Sequence, residues 1–279
     1  MKIVIIIICA FILILLILGL YLSFTLTRPK RDSLEYYHKI NHDNKMDEGI
    51  EKLKRTKFEL TLRDGYLIHG EYSLNQDSNK YVILVHGWTA NREAMIPQAL
   101  VFYELGFNVI LYDNRAHGEN VHNATTMGKL ESLDLNEVID WTYKKFGKDI
   151  ILGTIGVSLG GATVLLNLKY QKNLKFVISD CPYTNSRKLG IEILNSRHLP
   201  GLLLIEFIEF WTLIINHFSF KQTSAINRIN DNKTPIMFIH GKKDTFINMH
   251  HSIDLYNKLE CKKKIVLFAC CKLRPKLPL

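Results

Sequence analysis

The chain has 279 residues, 47% of them hydrophobic, so it is long enough for a large folded domain with a sizeable core. Its formal net charge is +9, but no zinc-finger spacing, helix-turn-helix pattern or basic and aromatic platform accompanies that charge, so we expect no nucleic-acid partner. Its five cysteines form no C-x-x-C pair, which argues against a disulfide framework or a zinc site and favours a reducing compartment.

An uncharged apolar segment runs from Ile3 to Phe24. About 20 such residues suffice for a helix to cross the hydrocarbon core of a bilayer. A cleaved signal peptide is the alternative, but its apolar part would be shorter, and no small-residue cleavage site precedes Arg28. We therefore predict a single-pass anchor in the cell membrane over residues 1–27. Basic residues are more numerous after the span than before it, so the positive-inside rule places the following domain on the cytoplasmic side.

The rest of the chain changes pattern twice. Residues 28–55 are polar and charged, with little periodicity beyond a short helix, and are predicted to be a linker. From Thr56 apolar residues alternate on both sides of the turn dipeptide Asp64-Gly65, which predicts a β-hairpin. Beyond residue 80, short buried strands alternate with helices, which is typical of a parallel sheet covered on both faces, so the fold class is α/β. Strands are expected at 81–87, 108–113, 149–158, 174–180, 234–241 and 262–268.

An insertion over residues 186–232 interrupts this alternation, and its centre, LPGLLLIEFIEFWTLIINHF, is strongly apolar. A second membrane span would put Glu206 and Glu209 into hydrocarbon and would split the sheet, and both consequences are unfavourable. We therefore expect a lid helix over an active site. An ordinary core helix is the alternative that the pattern leaves open.

A serine between glycines, Ser158 in GVSLG, lies where a buried strand meets a helix. A sharp turn there pushes the side chain into a strained and exposed position, and a Cβ at Gly156 or Gly160 would collide with neighbouring backbone. The helix that begins at Leu159 directs its free N–H groups at the serine, which suits an oxyanion. Ser158 is therefore a candidate nucleophile, with the N–H of Leu159 as one oxyanion donor.

The loop after the first parallel strand, His86-Gly87-Trp88, ends at the same sheet edge, because the carboxyl ends of parallel strands share one edge. Its backbone can supply the second oxyanion donor, most plausibly the N–H of Trp88. The side chain of His86 is expected to be buried and bonded to backbone.

Four motifs in order resemble the α/β-hydrolase family: LVHGWTANRE (84–93), YDNRAHGEN (112–120), GVSLGGAT (156–163) and FIHGKKDTFIN (238–248). Within it, the chain is similar to bacterial membrane-anchored serine hydrolases of the prolyl-oligopeptidase and serine-aminopeptidase type. The resemblance implies an α/β-hydrolase domain over residues 56–279, with a mostly parallel sheet, helices on both faces and a lid insertion. It implies no metal and no organic cofactor.

The resemblance also implies roles for single residues. It assigns Ser158 as nucleophile, Trp88 and Leu159 as oxyanion donors, and Asp244 as the acid that orients a histidine. Asp113 and Asp180 also lie at strand ends but are less favoured as the acid. Asp113 and His117 belong to a loop that such proteins use mainly to brace the site.

The general base is missing from its expected place. The family carries a histidine in the loop after the last strand, but this sequence continues ACCKLRPKLPL and has no histidine beyond His251. His250 and His251 are expected to open a helix, His198 and His217 to have core or surface roles in the insertion, and His240 to be structural. We therefore expect a truncation or reading-frame change at about Ala269.

The sequence thus predicts a membrane-anchored serine hydrolase that cleaves ester, thioester or amide bonds through an acyl-enzyme on Ser158. Its partners are expected to be small ester, acyl or short peptide substrates and, through the N-terminal helix, the membrane. The alternative is a catalytically impaired or non-catalytic homologue, a scaffold or a truncated product, because the C-terminal histidine is missing.

Overall fold

The computed structural model describes residues 1–171 and 173–269. Within them, eight strands form one sheet in the order β1-β2-β4-β3-β5-β6-β7-β8. Strand β2 pairs antiparallel with β1 and β4, and every other pair is parallel, which confirms the mostly parallel α/β sheet. The strands are β1 (Thr56–Thr61), β2 (Leu67–Ser73), β3 (Lys80–Val85), β4 (Asn108–Tyr112), β5 (Ile151–Val157), β6 (Phe176–Asp180), β7 (Ile236–Gly241) and β8 (Lys263–Phe268).

Helices cover both faces of this sheet, as the alternating pattern predicts. In the described part of the chain the α-helices are α1 (Lys2–Thr27), α2 (Leu34–Asp43), α3 (Asp47–Leu53), α4 (Ile96–Glu104), α5 (Lys129–Phe146), α6 (Leu159–Asn167), α7 (Ser186–Ser196), α8 (Gly201–Asn216) and α9 (His250–Lys258). One buried cluster packs the sheet against α5 and α6, with Leu135 and Val164 among its members. A second buried cluster packs the sheet against α4 and includes Val82 of β3 and Ala99 of α4.

The segment predicted as a linker, residues 28–55, contains the two helices α2 and α3. The first begins after Ser33, whose hydroxyl accepts the N–H of Tyr36 at 3.2 Å as a helix cap. The second ends at Leu53, which is fully buried in the cluster with Val82. The less exposed positions of α2 are Leu34, Tyr37, Ile40 and Asn41, at the spacing of one helix face, but few residues of this segment are fully buried.

The insertion forms the two helices α7 and α8, and α8 packs one face inward. Leu204, Ile205 and Ile208 are buried, whereas Leu202 and Leu213 on the same helix are exposed. Glu209, one of the two acidic residues, pairs at 2.6 Å with an arginine of α7. Among the described residues, α1 is the one helix long and apolar enough to cross a membrane.

Helix α1 packs its second half against α8. Leu15, Gly19, Ser23 and Thr27 are the buried positions, spaced four residues apart along one face. A Cβ on Gly19 would lie 2.9 Å from the backbone carbonyl carbon of Phe207, so only glycine permits this close approach.

Candidate active site

Ser158 occupies the sharp turn between β5 and α6. Its backbone has φ 58° and ψ −114°, a conformation that a residue with a Cβ adopts only under strain. The turn is held because the N–H of Ser158 donates to the carbonyl of Asp180 at 2.9 Å. Helix α6 is buried along its whole length, so it fixes the serine on a rigid element. The side chain is 8% exposed and stands at the carboxyl edge of the sheet.

The glycines beside Ser158 permit this turn because neighbouring backbone lies too close to leave room for a Cβ. A Cβ on Gly156 would lie 2.8 Å from the nitrogen of Gly161, and one on Gly160 would lie 2.7 Å from the carbonyl oxygen of His86. Both separations are too short for any side chain, so these positions require glycine.

The loop after β3 passes directly beside the serine. A Cβ on Gly87 would lie 3.4 Å from the Cβ of Ser158 and 4.0 Å from its Oγ. Within residues 1–171 and 173–269, the backbone N–H groups of Trp88 and Leu159 donate no hydrogen bond. Two such donors on neighbouring loops are the elements from which an oxyanion hole is made.

Two buried histidines support this loop rather than the chemistry. The ring of His86 is fully buried, contacts the carbonyl of Gly87 through Nδ1 at 2.8 Å, and accepts the N–H of Asn114 through Nε2 at 2.8 Å. Burial lowers the pKa of His86 to about 4, so the ring is neutral and holds the loops after β3 and β4 together. His117 contacts the carbonyl of Arg115 at 2.8 Å, and burial lowers its pKa to about 3.

Asp113 braces the neighbouring loop, as expected of the DNRAHG motif. Its Oδ1 accepts the N–H of Arg92 at 2.8 Å, and its Oδ2 accepts the N–H of Glu119 at 3.0 Å. The guanidinium of Arg92 pairs with the same carboxylate and reaches Glu71 at 3.2 Å. Arg92 and Asp113 are both buried, so this is a structural ion pair.

Asp244 lies in the loop after β7, at the same sheet edge as Ser158 but two strands away. Its Oδ1 accepts the N–H groups of Phe246 at 2.9 Å and Ile247 at 3.0 Å. Ile247 belongs to the apolar cluster that contains Leu159, and Phe246 and Trp88 pack against it, so the Asp244 loop and the serine turn contact the same cluster.

His240, expected to be structural, uses both ring nitrogens inside the fold. Nδ1 contacts the hydroxyl of Ser252 at 2.7 Å, and Nε2 contacts the carbonyl of Ile247 at 2.8 Å. The ring is fully buried at the end of β7.

The other histidines lie away from the serine hydroxyl. His198 and His217 are exposed at the ends of the insertion helices, and His250 and His251 open α9 as expected. Within the described ranges, no histidine forms a hydrogen bond with Oγ of Ser158.

The loop in which the base is expected begins beside Asp244. The N–H of Lys242 donates to the carbonyl of Phe268 at 2.8 Å, so the chain leaves β8 next to the Asp244 loop. The predicted break at about Ala269 falls at this point. Residues 270–279 lie outside the described residues, and their sequence, CCKLRPKLPL, contains no histidine.

The sequence did not predict that α1 also supports the site. The indole Nε1 of Trp88 donates to the carbonyl of Leu26 at 3.1 Å, and the N–H of Asp32 donates to the carbonyl of Thr89 at 2.9 Å. The small residues Gly19, Ser23 and Thr27, four apart in an apolar helix, are the signal that indicates such packing.

The sequence and the fold are similar to those of known proteins. Residues 80–211 match the family model described as the alpha/beta hydrolase fold. The chain is 28% identical over 263 residues to the uncharacterized protein YqkD of Bacillus subtilis, across 92% of this chain and 86% of that protein. It is 27% identical over 141 residues to the thiohydrolase aneE of Aspergillus aculeatus, across 49% and 44% of the two chains. The structure is similar to the Pyrococcus furiosus esterase Pf2001, with a TM-score of 0.64 and 26% identity over 78% of this chain and 84% of that one.

Proposed function

Because the chain belongs to the α/β-hydrolase family, we propose that it is a membrane-anchored serine hydrolase that cleaves ester, thioester or amide bonds through an acyl-enzyme on Ser158. The observation that carries this proposal is the strained turn at Ser158, with φ 58° and ψ −114°. Strain of this kind persists only where the surrounding structure enforces it, and here it presents a hydroxyl beside two N–H groups without partners in the described chain.

In the proposed reaction, Oγ of Ser158 attacks the substrate carbonyl while its proton passes to a base. The N–H groups of Trp88 and Leu159 stabilise the oxyanion that forms, the leaving group departs with a proton, and water then hydrolyses the acyl-enzyme. Asp244 is proposed to orient and stabilise the protonated base. A serine hydroxyl is too weakly acidic to react without a base. Because no histidine of the described residues contacts Oγ of Ser158, proton transfer is proposed to limit the rate.

The proposed substrates are acyl compounds or short hydrophobic peptides. The apolar cluster around Leu159 includes Met127, Tyr183 and Phe218, together with residues of both insertion helices. A site beside this cluster is proposed to favour an acyl chain over a charged group. The esterase and thiohydrolase among the similar proteins support an ester or thioester as the bond that is cleaved.

The proposed membrane contact includes the insertion as well as α1. The first 13 residues of α1, Lys2–Ile14, extend about 20 Å, which is shorter than the roughly 30 Å of a hydrocarbon core. A spanning α1 therefore has to take part of its second half into the bilayer, which brings the outer face of the packed helix α8 to the membrane surface. The apolar face of α8 fits that position, because Leu202, Phe210 and Leu213 are 73%, 47% and 53% exposed. We propose that the insertion is a lid whose outer face contacts lipid on the cytoplasmic side.

Two single-tryptophan chains test this contact. Trp211 of α8 donates to the carbonyl of Leu16 of α1 at 2.8 Å. Trp141 of α5 stacks on Phe58 of β1, away from α1, at a centroid distance of 4.2 Å. In vesicles with brominated acyl chains, fluorescence of a chain that keeps only Trp211 should be quenched. A chain that keeps only Trp141 should not be quenched, and equal behaviour of the two would contradict a lipid-facing lid.

Ester hydrolysis with added imidazole tests the reaction. The full chain in detergent is assayed on short-chain p-nitrophenyl esters with and without imidazole, and hydrolysis by imidazole alone is subtracted. We expect imidazole to accelerate the wild-type chain by supplying the base, and Ser158→Ala to lower the accelerated rate by roughly 10³-fold or more. Ser196→Ala, at an exposed serine that ends α7, is the control and should not change the rate. Retention of the rate in Ser158→Ala would contradict the proposal.

A non-catalytic homologue is the second candidate, favoured because no histidine within the described ranges forms a hydrogen bond with Oγ of Ser158. It predicts that a fluorescent acyl ligand binds the folded chain while no ester is cleaved, even with imidazole. Cleavage that depends on Ser158 would exclude this candidate.

A further inference from the structure

A compact group of donor atoms joins the insertion to the helix after β7. Glu192 of α7 faces His250 and His251, the first two residues of α9. Oε1 of Glu192 lies 3.0 Å from Nε2 of His250, and Oε2 lies 3.0 Å from Nε2 of His251. The three ligand atoms all lie within 4.8 Å of one another.

Convergence of two consecutive helix residues on one carboxylate is unusual. Side chains at neighbouring helix positions point about 100° apart, so they do not normally face one partner. Here the two residues begin helix α9. The centroids of their rings are 4.3 Å apart, and the ring planes are tilted by 34° to each other. Both Nε2 atoms therefore point into the same space.

Each ring is also held at its other nitrogen by an oxygen. Nδ1 of His250 lies 3.4 Å from Oδ2 of Asp254, and Nδ1 of His251 lies 2.9 Å from the hydroxyl of Thr184. In the ion-free chain the backbone N–H of Thr184 also donates to Nδ1 of His251 at 3.3 Å, so the proton lies on Nε2 and is donated to Glu192. A bound cation would require that proton to move to Nδ1, where the hydroxyl of Thr184 can accept it. Metal-binding histidines are oriented by outer oxygen acceptors in this way.

We propose that Glu192, His250 and His251 form a binding site for a divalent transition-metal ion of the zinc class. Two imidazole nitrogens and one carboxylate oxygen are a donor set typical of zinc with a position left for water. Tetrahedral ligands at zinc distances are roughly 3.3 Å apart, so the 3.0 Å separations need only a small expansion.

The surroundings suit an ion that enters from solvent and then fixes the helices. His251 is fully buried, whereas the side chains of His250 and Glu192 are 35% and 32% exposed, so one side is closed and the other open. Lys188 approaches Nδ1 of His250 at 3.4 Å, but its charge is paired with Asp254 at 2.9 Å. A bound ion would tie α7 of the insertion to α9 of the sheet domain.

Cobalt titration tests the site on the full chain in detergent, after treatment with a chelator. We expect one equivalent of Co²⁺ to give a visible absorption band that Zn²⁺ abolishes by competition. Glu192→Gln and His250→Asn should each weaken Co²⁺ binding by more than about 10-fold. The control is His42→Asn, because His42 pairs with Asp47 at 2.6 Å on the surface and belongs to no three-donor group among the described residues.

Thermal unfolding separates loss of the site from loss of the fold. Without metal, the midpoints of thermal unfolding of Glu192→Gln and His250→Asn are expected to lie within a few degrees of that of the wild-type chain. Zn²⁺ should raise the midpoint of the wild-type chain but not those of these two variants. Binding that is equally strong in Glu192→Gln, or that is lost in His42→Asn, would overturn the proposal. The readout needs no hydrolysis, so Ser158→Ala should bind Co²⁺ as the wild-type chain does.

Discussion

The two sides of the crevice at the sheet edge are built in different ways. On the side of β3 and β5, Ser158 is held by backbone contacts, glycines and the buried helix α6. On the side of β7 and β8, the carboxylate of Asp244 is held by N–H groups of its own loop, and the N–H of Lys242 beside that loop donates to the carbonyl of Phe268 at the end of β8. The proposed nucleophile and oxyanion donors thus depend on backbone geometry, whereas the proposed proton transfer depends on a side chain of the second side.

The largest loss of stability is expected from a substitution that breaks the backbone contacts on the side of β3 and β5. Gly160→Ala places a methyl group 2.7 Å from the carbonyl oxygen of His86, against backbone that cannot move away. We expect a loss of more than about 4 kcal/mol in the free energy of unfolding, measured by urea denaturation. Gly65→Ala is the control, because its φ of +82° is strained but no atom lies within 4 Å. It should cost about 1 kcal/mol, and equal effects would refute the importance of the close approach.

The next largest loss of stability is expected when the ion pair that braces the loops on the same side is removed. Arg92→Met leaves the carboxylate of Asp113 buried without its guanidinium, which should cost about 3 kcal/mol of unfolding free energy. Arg63→Met is the matched control, because Arg63 and Asp140 are exposed and 4.0 Å apart. Urea denaturation should show less than about 1 kcal/mol for this control. A smaller loss at Arg92 than at Arg63 would show that the buried pair does not brace the site.

The buried histidines predict a dependence of stability on pH. An unfolded histidine binds its proton near pH 6.5, whereas folded His86 does so only near pH 4. The unfolded chain therefore takes up protons first, and the unfolding free energy falls as the pH drops from about 6.5 towards 4. Between pH 7 and pH 5, His86 contributes a loss of about 2 kcal/mol. His86→Gln should make the slope of unfolding free energy against pH shallower by about 1.4 kcal/mol per unit, and an unchanged slope would contradict a neutral His86.

The smallest effects belong to the second side. Asp244→Asn keeps the oxygen that accepts the N–H groups of Phe246 and Ile247, so the unfolding free energy should change by less than about 1 kcal/mol. Asp244→Ala removes that oxygen and should cost about 1 to 3 kcal/mol. Equal losses in urea for the two variants would show that the carboxylate charge, and not its hydrogen bonds, holds the loop.

The sequence predicts most of the sheet because its strands are short buried runs of β-branched residues separated by helices. The hairpin at Gly65 follows from local turn chemistry, and Gly65 indeed has φ +82°. The roles of Ser158, Trp88, Leu159 and Asp244 stay predictions, and the structure supplies the geometry on which they rest.

Other features were not predictable because they join residues far apart in the chain. The ion pair of Arg92 with Asp113 and the contacts of α1 with Trp88 depend on how the loops are packed. Glu192 and His250 are 58 residues apart, and their contact exists only because α7 of the insertion folds back on α9. Periodicity within one element carries no signal for such pairs.

Covalent labelling of Ser158 by a fluorophosphonate tests the central claim most directly. The folded full chain is labelled with and without imidazole, and the modified residue is identified by mass spectrometry beside Ser158→Ala. We expect a label on Ser158 that is absent in Ser158→Ala and increases with imidazole, because the proposed nucleophile and oxyanion donors are preformed and the proposed proton transfer limits the reaction. A folded chain that carries no label on Ser158 in either condition would contradict it.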